Sequence, residues 1–89
     1  MSQTFVESDA QGWEVIRDLP PSAKLVAKTL EYEGTQTQEQ LVRETLLPPR
    51  TVRYALTRLE ERGVIDVRFS FTDARKRLYT LRIQPQSHG

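Results

Sequence analysis

The sequence predicts an α+β fold: a three-helix core closed by a C-terminal two-stranded β-hairpin, preceded by an N-terminal arm or a further short helix. Three observations lead there. With 89 residues and 37 % hydrophobic content, the chain can fill one core of three helices and a hairpin, but not a second domain or a large ligand cavity. Between Thr37 and Arg62 a helix-start signal, a double-proline turn and a strong helical stripe follow one another without a gap. After Gly63 the hydrophobic period changes from helical to two, as it does where a helix gives way to strands.

Residues 1–18 are expected to form the N-terminal arm or short helix, 19–83 the folded domain and 84–89 a disordered tail. The first eight residues are expected to be loosely ordered. Trp13, Ile16 and Leu19, joined by Val15, fit a short amphipathic helix or an extended arm. A Trp in so small a protein is expected to pack on the domain or on a partner chain. Pro20-Pro21 interrupts the chain and opens a helix, because proline is tolerated in a first turn where its missing N–H is not needed. Leu25, Val26, Leu30 and Tyr32 are expected to form its buried stripe, and Gly34 ends it.

Thr35-Gln36 suits a short extended link. Thr37-Gln38-Glu39-Gln40 fits a capping box, in which the Thr37 hydroxyl accepts from the Gln40 N–H and the Gln40 side chain reaches back. The short helix that follows buries Leu41 and Val42 and runs to about Glu44 or Thr45. Leu46-Leu47-Pro48-Pro49 is the turn, since two prolines stop one helix and preset the entry of the next. From Arg50 to Arg62, Val52, Ala55, Leu56 and Leu59 recur at helical spacing, and Gly63 stands where a left-handed cap is wanted. Ile65, Val67, Phe69 and Phe71 then alternate with polar residues as a half-buried strand should. Thr72 to Arg75 supplies the turn, and Tyr79, Leu81 and Ile83 alternate on the return strand. Helix, turn, helix and a basic-tipped ribbon, in that order, make a winged helix-turn-helix.

Net charge is +1, but it is unevenly spread. Residues 1–49 hold four basic and eight acidic side chains, whereas residues 50–89 hold nine basic against Glu60, Glu61, Asp66 and Asp73. A split of this kind points to a polyanion on one side of the molecule or, more blandly, to a solvated face with compensating pairs.

The composition also excludes several classes. The chain has no cysteine, which rules out a disulfide framework or zinc knuckle and suits a reducing interior. No stretch approaches the ~18 apolar residues that span a bilayer. The N-terminus lacks the layout of a signal peptide, so a cytoplasmic protein away from the membrane is expected. The single histidine, His88, is next to last in the expected tail, where it has no held geometry for catalysis. The four glycines are isolated, and Glu60 and Glu61 lie side by side on a helix without facing each other. No enzyme, cofactor or metal site is expected.

The chemistry gathers on the helix from Arg50. With its apolar stripe buried, Arg50, Thr51, Arg53, Tyr54, Thr57 and Arg58 project outward or sideways. Arg can donate two bonds to guanine, the hydroxyls of Thr and Tyr can reach bases or phosphates, and the Thr methyl can meet a thymine methyl. Because the N-terminal half of such a helix reaches bases, Arg50, Thr51, Arg53, Tyr54 and Thr57 are the candidate base readers. Arg58 and Arg62 lie farther along and are expected to touch phosphate or to pair with Glu61 or Asp66. The bland alternative is a surface helix whose arginines cover apolar area and pair with acids. Against it, Arg50, Arg53 and Arg58 precede the first acid, Glu60.

Arg75-Lys76-Arg77 places three cations at the hairpin tip, suited to the phosphate backbone or to a narrow minor groove. Thr37 and Gln38, with the backbone N–H groups of their helix, could clamp a phosphate, although capping alone accounts for Thr37 equally well.

Three stretches carry a resemblance: Leu19-Pro-Pro-Ser-Ala-Lys-Leu-Val, Thr37-Gln-Glu-Gln-Leu-Val and Leu47-Pro-Pro-Arg-Thr-Val-Arg-Tyr-Ala-Leu-Thr-Arg-Leu-Glu-Glu-Arg-Gly-Val-Ile. With the ending Asp73-Ala-Arg-Lys-Arg-Leu-Tyr-Thr-Leu, they resemble the small archaeal winged helix proteins of the MarR-like type over about residues 19–83. The resemblance implies sequence-specific DNA binding in transcription control, usually as a homodimer, with the third helix in the major groove. By position it places Arg50, Thr51, Arg53, Tyr54 and Thr57 on the recognition helix and Arg75, Lys76 and Arg77 on the wing. Longer members have additional terminal helices that build the dimer and a ligand pocket, so a small-molecule effector is not expected here. A homodimer is expected to use the segment around Trp13 or the first helix.

The expected function is therefore a double-stranded DNA-binding transcriptional regulator. Its recognition helix, about 49–62, lies in the major groove, and its wing, about 72–78, lies on backbone or minor groove. The alternative is a winged helix protein–protein module of a transcription or other assembly, which would show apolar groups in place of Arg50, Arg53 and Arg58. A third reading is structured or single-stranded nucleic acid, stacked on Tyr54 or the wing.

Overall fold

A computed structural model of the protein describes residues 13–83. The expectations for residues 1–12 and for the tail 84–89 with His88 lie outside the described residues. The elements are α1 (Pro21–Glu33), α2 (Gln38–Thr45), α3 (Pro49–Glu61), β1 (Ile65–Phe69) and β2 (Arg77–Leu81). They form three packed helices with an antiparallel hairpin against them, the expected winged helix-turn-helix. Among the described residues no helix is long and apolar enough to cross a membrane.

Each helix end follows from local chemistry. Pro21 and Pro49 occupy first turns, where φ is preset and no N–H is required. The capping box forms as expected: Gln40 N donates to Thr37 Oγ1 at 3.1 Å, and Thr37 N donates to Gln40 Oε1 at 2.8 Å. Gly63, at φ 71°, closes α3 in a Schellman motif, with Gly63 N donating to Glu60 O and Val64 N to Leu59 O.

Leu46 caps α2 in the left-handed region at φ 62°, the only described non-glycine residue with positive φ. Pro48 confines Leu47 to extended backbone, so the chain reversal falls on Leu46. Buried Thr45 holds the turn, donating to Leu41 O at 2.7 Å and accepting from Leu47 N at 3.2 Å.

The core consists chiefly of Ile16, Leu19, Val26, Leu30, Leu41, Val52, Leu56, Leu59, Ile65 and Tyr79. Ile16, in the segment expected as an arm or short helix, is 1 % exposed. Trp13 packs at the core's edge with Lys28 Nζ 4.4 Å from its ring centroid. Two expectations about burial are corrected. On α1 the buried stripe is Ala23, Val26, Ala27 and Leu30, and Leu25 and Tyr32 face outward. Small alanines there allow α1 to lie close against α3, so the stripe turns toward them and away from the bulkier residues. On the hairpin, Ile65 and Val67 are covered but Phe69 and Phe71 are exposed, because the ribbon runs beyond the helices that would cover them.

The hairpin register pairs Ile65 with Leu81, Val67 with Tyr79 and Phe69 with Arg77 on one face. Gln36 joins the far side of β2 through two backbone bonds with Tyr79, at 3.1 and 2.9 Å, realising the expected extended link. This bridge fixes the start of α2 beside the root of the wing. The wing turn falls one residue later than expected: Lys76 N donates to Asp73 O at 2.9 Å, and Asp73 Oδ1 accepts from Arg75 N at 3.0 Å.

Candidate nucleic-acid interface

Three elements converge on one open groove. Its walls are the start of α2 (Thr37, Gln38, Glu39 and, a turn on, Arg43), one edge of α3 (Pro49, Arg53, Thr57, Glu60) and the wing (Arg75, Lys76, Arg77). Val42, Leu56 and Tyr79 form its apolar floor, and its volume is about 720 Å³. The bridge from Gln36 to Tyr79 sets the first wall against the third, and the packing of α2 on α3 sets the second.

Charge within the groove is cationic: five basic side chains stand against the carboxylates of Glu39 and Glu60. Among the described residues, Arg43, Arg53, Lys76 and Arg77 make no ion pair, and Arg75 is engaged only with Asp73 of its own turn, at 3.4 Å. Unpaired cations lining a concave face focus a positive potential there. They also keep their donors free for phosphate oxygens or base edges.

The structure divides the sequence-predicted residues. Arg53, Thr57, Thr37, Gln38, Arg75, Lys76 and Arg77 are brought together in the groove. Arg50, Thr51 and Arg53 line a second, smaller concavity with Pro48 and Pro49 at the start of α3, so Arg53 belongs to both surfaces. The Thr57 hydroxyl donates to Arg53 O at 3.0 Å, leaving its lone pairs and methyl for a partner. Thr37 spends its acceptor on the helix cap and keeps its hydroxyl proton.

Tyr54 and Arg58 stand elsewhere. Tyr54 is half exposed, the Arg58 guanidinium lies 5.9 Å from its ring centroid, and neither lines the groove. Arg58 also meets Glu61 at 3.9 Å, one of the partners expected for it.

Arg62 departs from expectation. Asp66 pairs instead with Arg82, at 3.4 Å. Arg62 turns back to the N-terminal segment, donating to Asp18 Oδ1 and Oδ2 at 3.0 and 3.1 Å and to Val15 O at 2.6 Å. The Arg62 hydrogen bond, reinforced by Asp18's own backbone, lowers the Asp18 carboxyl to about 2, and the same pairing raises the Arg62 guanidinium. Sequence spacing did not signal this pair, because its partners lie 44 positions apart. Arg43 was missed as a groove residue, although its place on α2 opposite Leu41 and Thr45 is a periodicity signal.

Residues 17–76, which include α1, α2, α3, β1 and the wing turn, match the MarR family. This chain is a MarR-family protein. Members of the family are transcription regulators and not enzymes. A MarR family regulator from Neisseria meningitidis is 33 % identical with a TM-score of 0.61, over 78 % of this chain and 49 % of its own. AbfR, in its reduced form bound to DNA, is 28 % identical with a TM-score of 0.66, over 90 % of this chain and 58 % of its own. BpsR from Bordetella bronchiseptica is 26 % identical with a TM-score of 0.69, over 89 % of this chain and 58 % of its own. The chain thus spans between about half and three fifths of these MarR-type structures. No curated protein matches it significantly. The match stands at the level of the MarR family and does not single out the archaeal subset that the sequence resembles.

Proposed function

We propose that the protein is a cytoplasmic, sequence-specific regulator that binds double-stranded DNA as a homodimer. In this reading α3 enters the major groove, with Arg50, Thr51, Arg53 and Thr57 at base edges and Tyr54 at its margin. The start of α2 (Thr37, Gln38) clamps phosphate, while Arg58, at the far edge of α3, reaches backbone. The wing cations Arg75, Lys76 and Arg77 follow the backbone or minor groove. The observation that carries the reading is the convergence of α2, α3 and the wing on one cationic groove whose arginines are largely unpaired. A DNA-bound structural neighbour, AbfR, supports it.

For the dimer, the proposed contact is the Trp13 segment with the outer face of α1, where Leu25 and Tyr32 stand exposed. No small-molecule effector is part of this reading, whereas BpsR's DNA binding is regulated by 6-hydroxynicotinic acid.

The test is fluorescence anisotropy against a random pool of duplex DNA at two salt concentrations, with sequencing of the retained fraction. Salt-sensitive binding with an enriched palindrome is expected, its half-site spacing reporting the dimer geometry. Absence of binding at low salt would overturn the reading and bring forward the protein-contact alternative. An enriched site without two-fold symmetry would remove the homodimer alone.

A further inference from the structure

Phe71 has its whole side chain in solvent, at 105 % relative exposure. The other wing phenylalanine, Phe69, is 61 % exposed and has the Arg77 guanidinium 5.9 Å from its ring centroid. Among the described residues no cation lies over Phe71. Its backbone is nevertheless held on both sides. Ser70 Oγ accepts from Thr72 N at 3.2 Å and Asp73 N at 3.3 Å, and Ser70 N donates to Lys76 O at 3.0 Å. The ring is therefore presented from a bonded tip, up to roughly 13 Å beyond Val67 at the usual rise of a strand.

An aromatic ring in water gains by leaving it, and the size of the patch decides what can take it. One ring is far below the ~800 Å² per partner of a stable protein interface. It is also less apolar surface than a stable membrane anchor needs. A single opened base step, by contrast, accepts one apolar side chain. The charge around it agrees: Arg68, Arg75, Lys76 and Arg77 flank it on the hairpin, and the tip's carboxylate, Asp73, is turned onto Arg75 N and Nε.

We propose that Phe71 is an intercalating wedge. With α3 on the duplex, Arg75 and Lys76 hold phosphates on either side of the minor groove. The Phe71 ring then enters between two base pairs and bends the DNA toward the major groove. This deepens, and rests on, the double-stranded DNA reading above.

The test uses the full chain and a duplex retained from the selection, end-labelled for energy transfer and carrying a fluorescent adenine analogue. Wild type should draw the ends together, as for a bend of ~20–90°, and brighten the analogue by unstacking it. Phe71→Ala should abolish both signals and weaken binding about tenfold, with an unchanged salt slope. Phe71→Trp should retain both. Coincident thermal unfolding of the Ala variant and wild type establishes that the fold is intact. Tight binding of wild type to a straight, fully stacked duplex overturns the wedge alone, as does an unchanged bend with Phe71→Ala. No binding of wild type to any duplex overturns the DNA reading itself. Phe71-dependent binding to vesicles containing an anionic phospholipid would then assign the tip to a lipid surface.

Discussion

The two edges of α3 carry arginines that differ in what already occupies them. On the groove edge, Arg53 makes no ion pair among the described residues and lines both concavities of the candidate interface. On the opposite edge, Arg62 is held by a bidentate pair with Asp18 and a bond to the Val15 carbonyl, and Arg58 lies beside Tyr54 and Glu61. Arg53 keeps its hydrogen-bonding capacity open to a partner, whereas Arg62 spends its own fastening the N-terminal segment to the end of the helix. Residue type alone therefore does not define a nucleic-acid surface; unspent donors do.

The sharpest way to break this comparison is on the open edge. Arg53→Ala is expected to cost ~1–3 kcal/mol of binding to a selected duplex and to relax base preference. Binding constants on selected and random duplexes check it. Equal losses on both would remove Arg53 as a base reader. Arg62→Ala should leave that preference intact, so loss of discrimination from Arg62→Ala would erase the distinction between the edges.

The wing is next in size. Replacing Arg75 and Arg77 together with Ala should weaken all sequences alike and lower the salt slope by about two. A slope unchanged from wild type would detach the wing from the interface.

The third prediction separates folding from binding at the start of α2. Thr37→Val removes one half of the capping box and is expected to lower stability by about 1 kcal/mol, read by urea unfolding. An accompanying change in salt slope would assign Thr37 to phosphate as well, whereas an unchanged slope would leave it as a cap only.

The smallest effect belongs to the tether, because an exposed ion pair is screened. The Asp18 carboxyl is depressed from the ordinary carboxylate value of 3.8 to about 2. Its contribution is thus complete above the unfolded value and fades as pH falls through the folded one. Asp18→Asn should be less stable than wild type at neutral pH, with the difference shrinking between about pH 4 and pH 2. A difference that persists unchanged at pH 2 would show that the ionised carboxylate is not what the variant loses, and no difference at neutral pH would locate the tether in Arg62 and Val15 alone.

Much of the fold was legible because it rests on short-range rules. The Thr37–Gln40 box, the Pro48-Pro49 entry, the Gly63 cap and the change of period after it are each contained within a few residues. The groove members on α3 and the wing were legible for a related reason: a regular helix exposes what its stripe does not bury, and a hairpin tip exposes almost everything. Arg62 was not legible, since its partner is chosen by how the N-terminal segment folds over the end of α3. The outward turn of Leu25 and Tyr32 was hidden too, because alanines score weakly as core residues until a neighbouring helix requires close approach.

By itself the sequence determined the order and ends of the helices, the presence of the hairpin and the residue types offered to a partner. Backbone hydrogen bonding and hydrophobic period act within a turn or two, which is why those features need no distant contact. Only the tertiary structure decided which arginines remain open, which face of α1 is covered, and that Phe69 and Phe71 stand beyond the core. Those outcomes depend on which surfaces meet across the molecule, and burial and ion pairing are settled at that meeting.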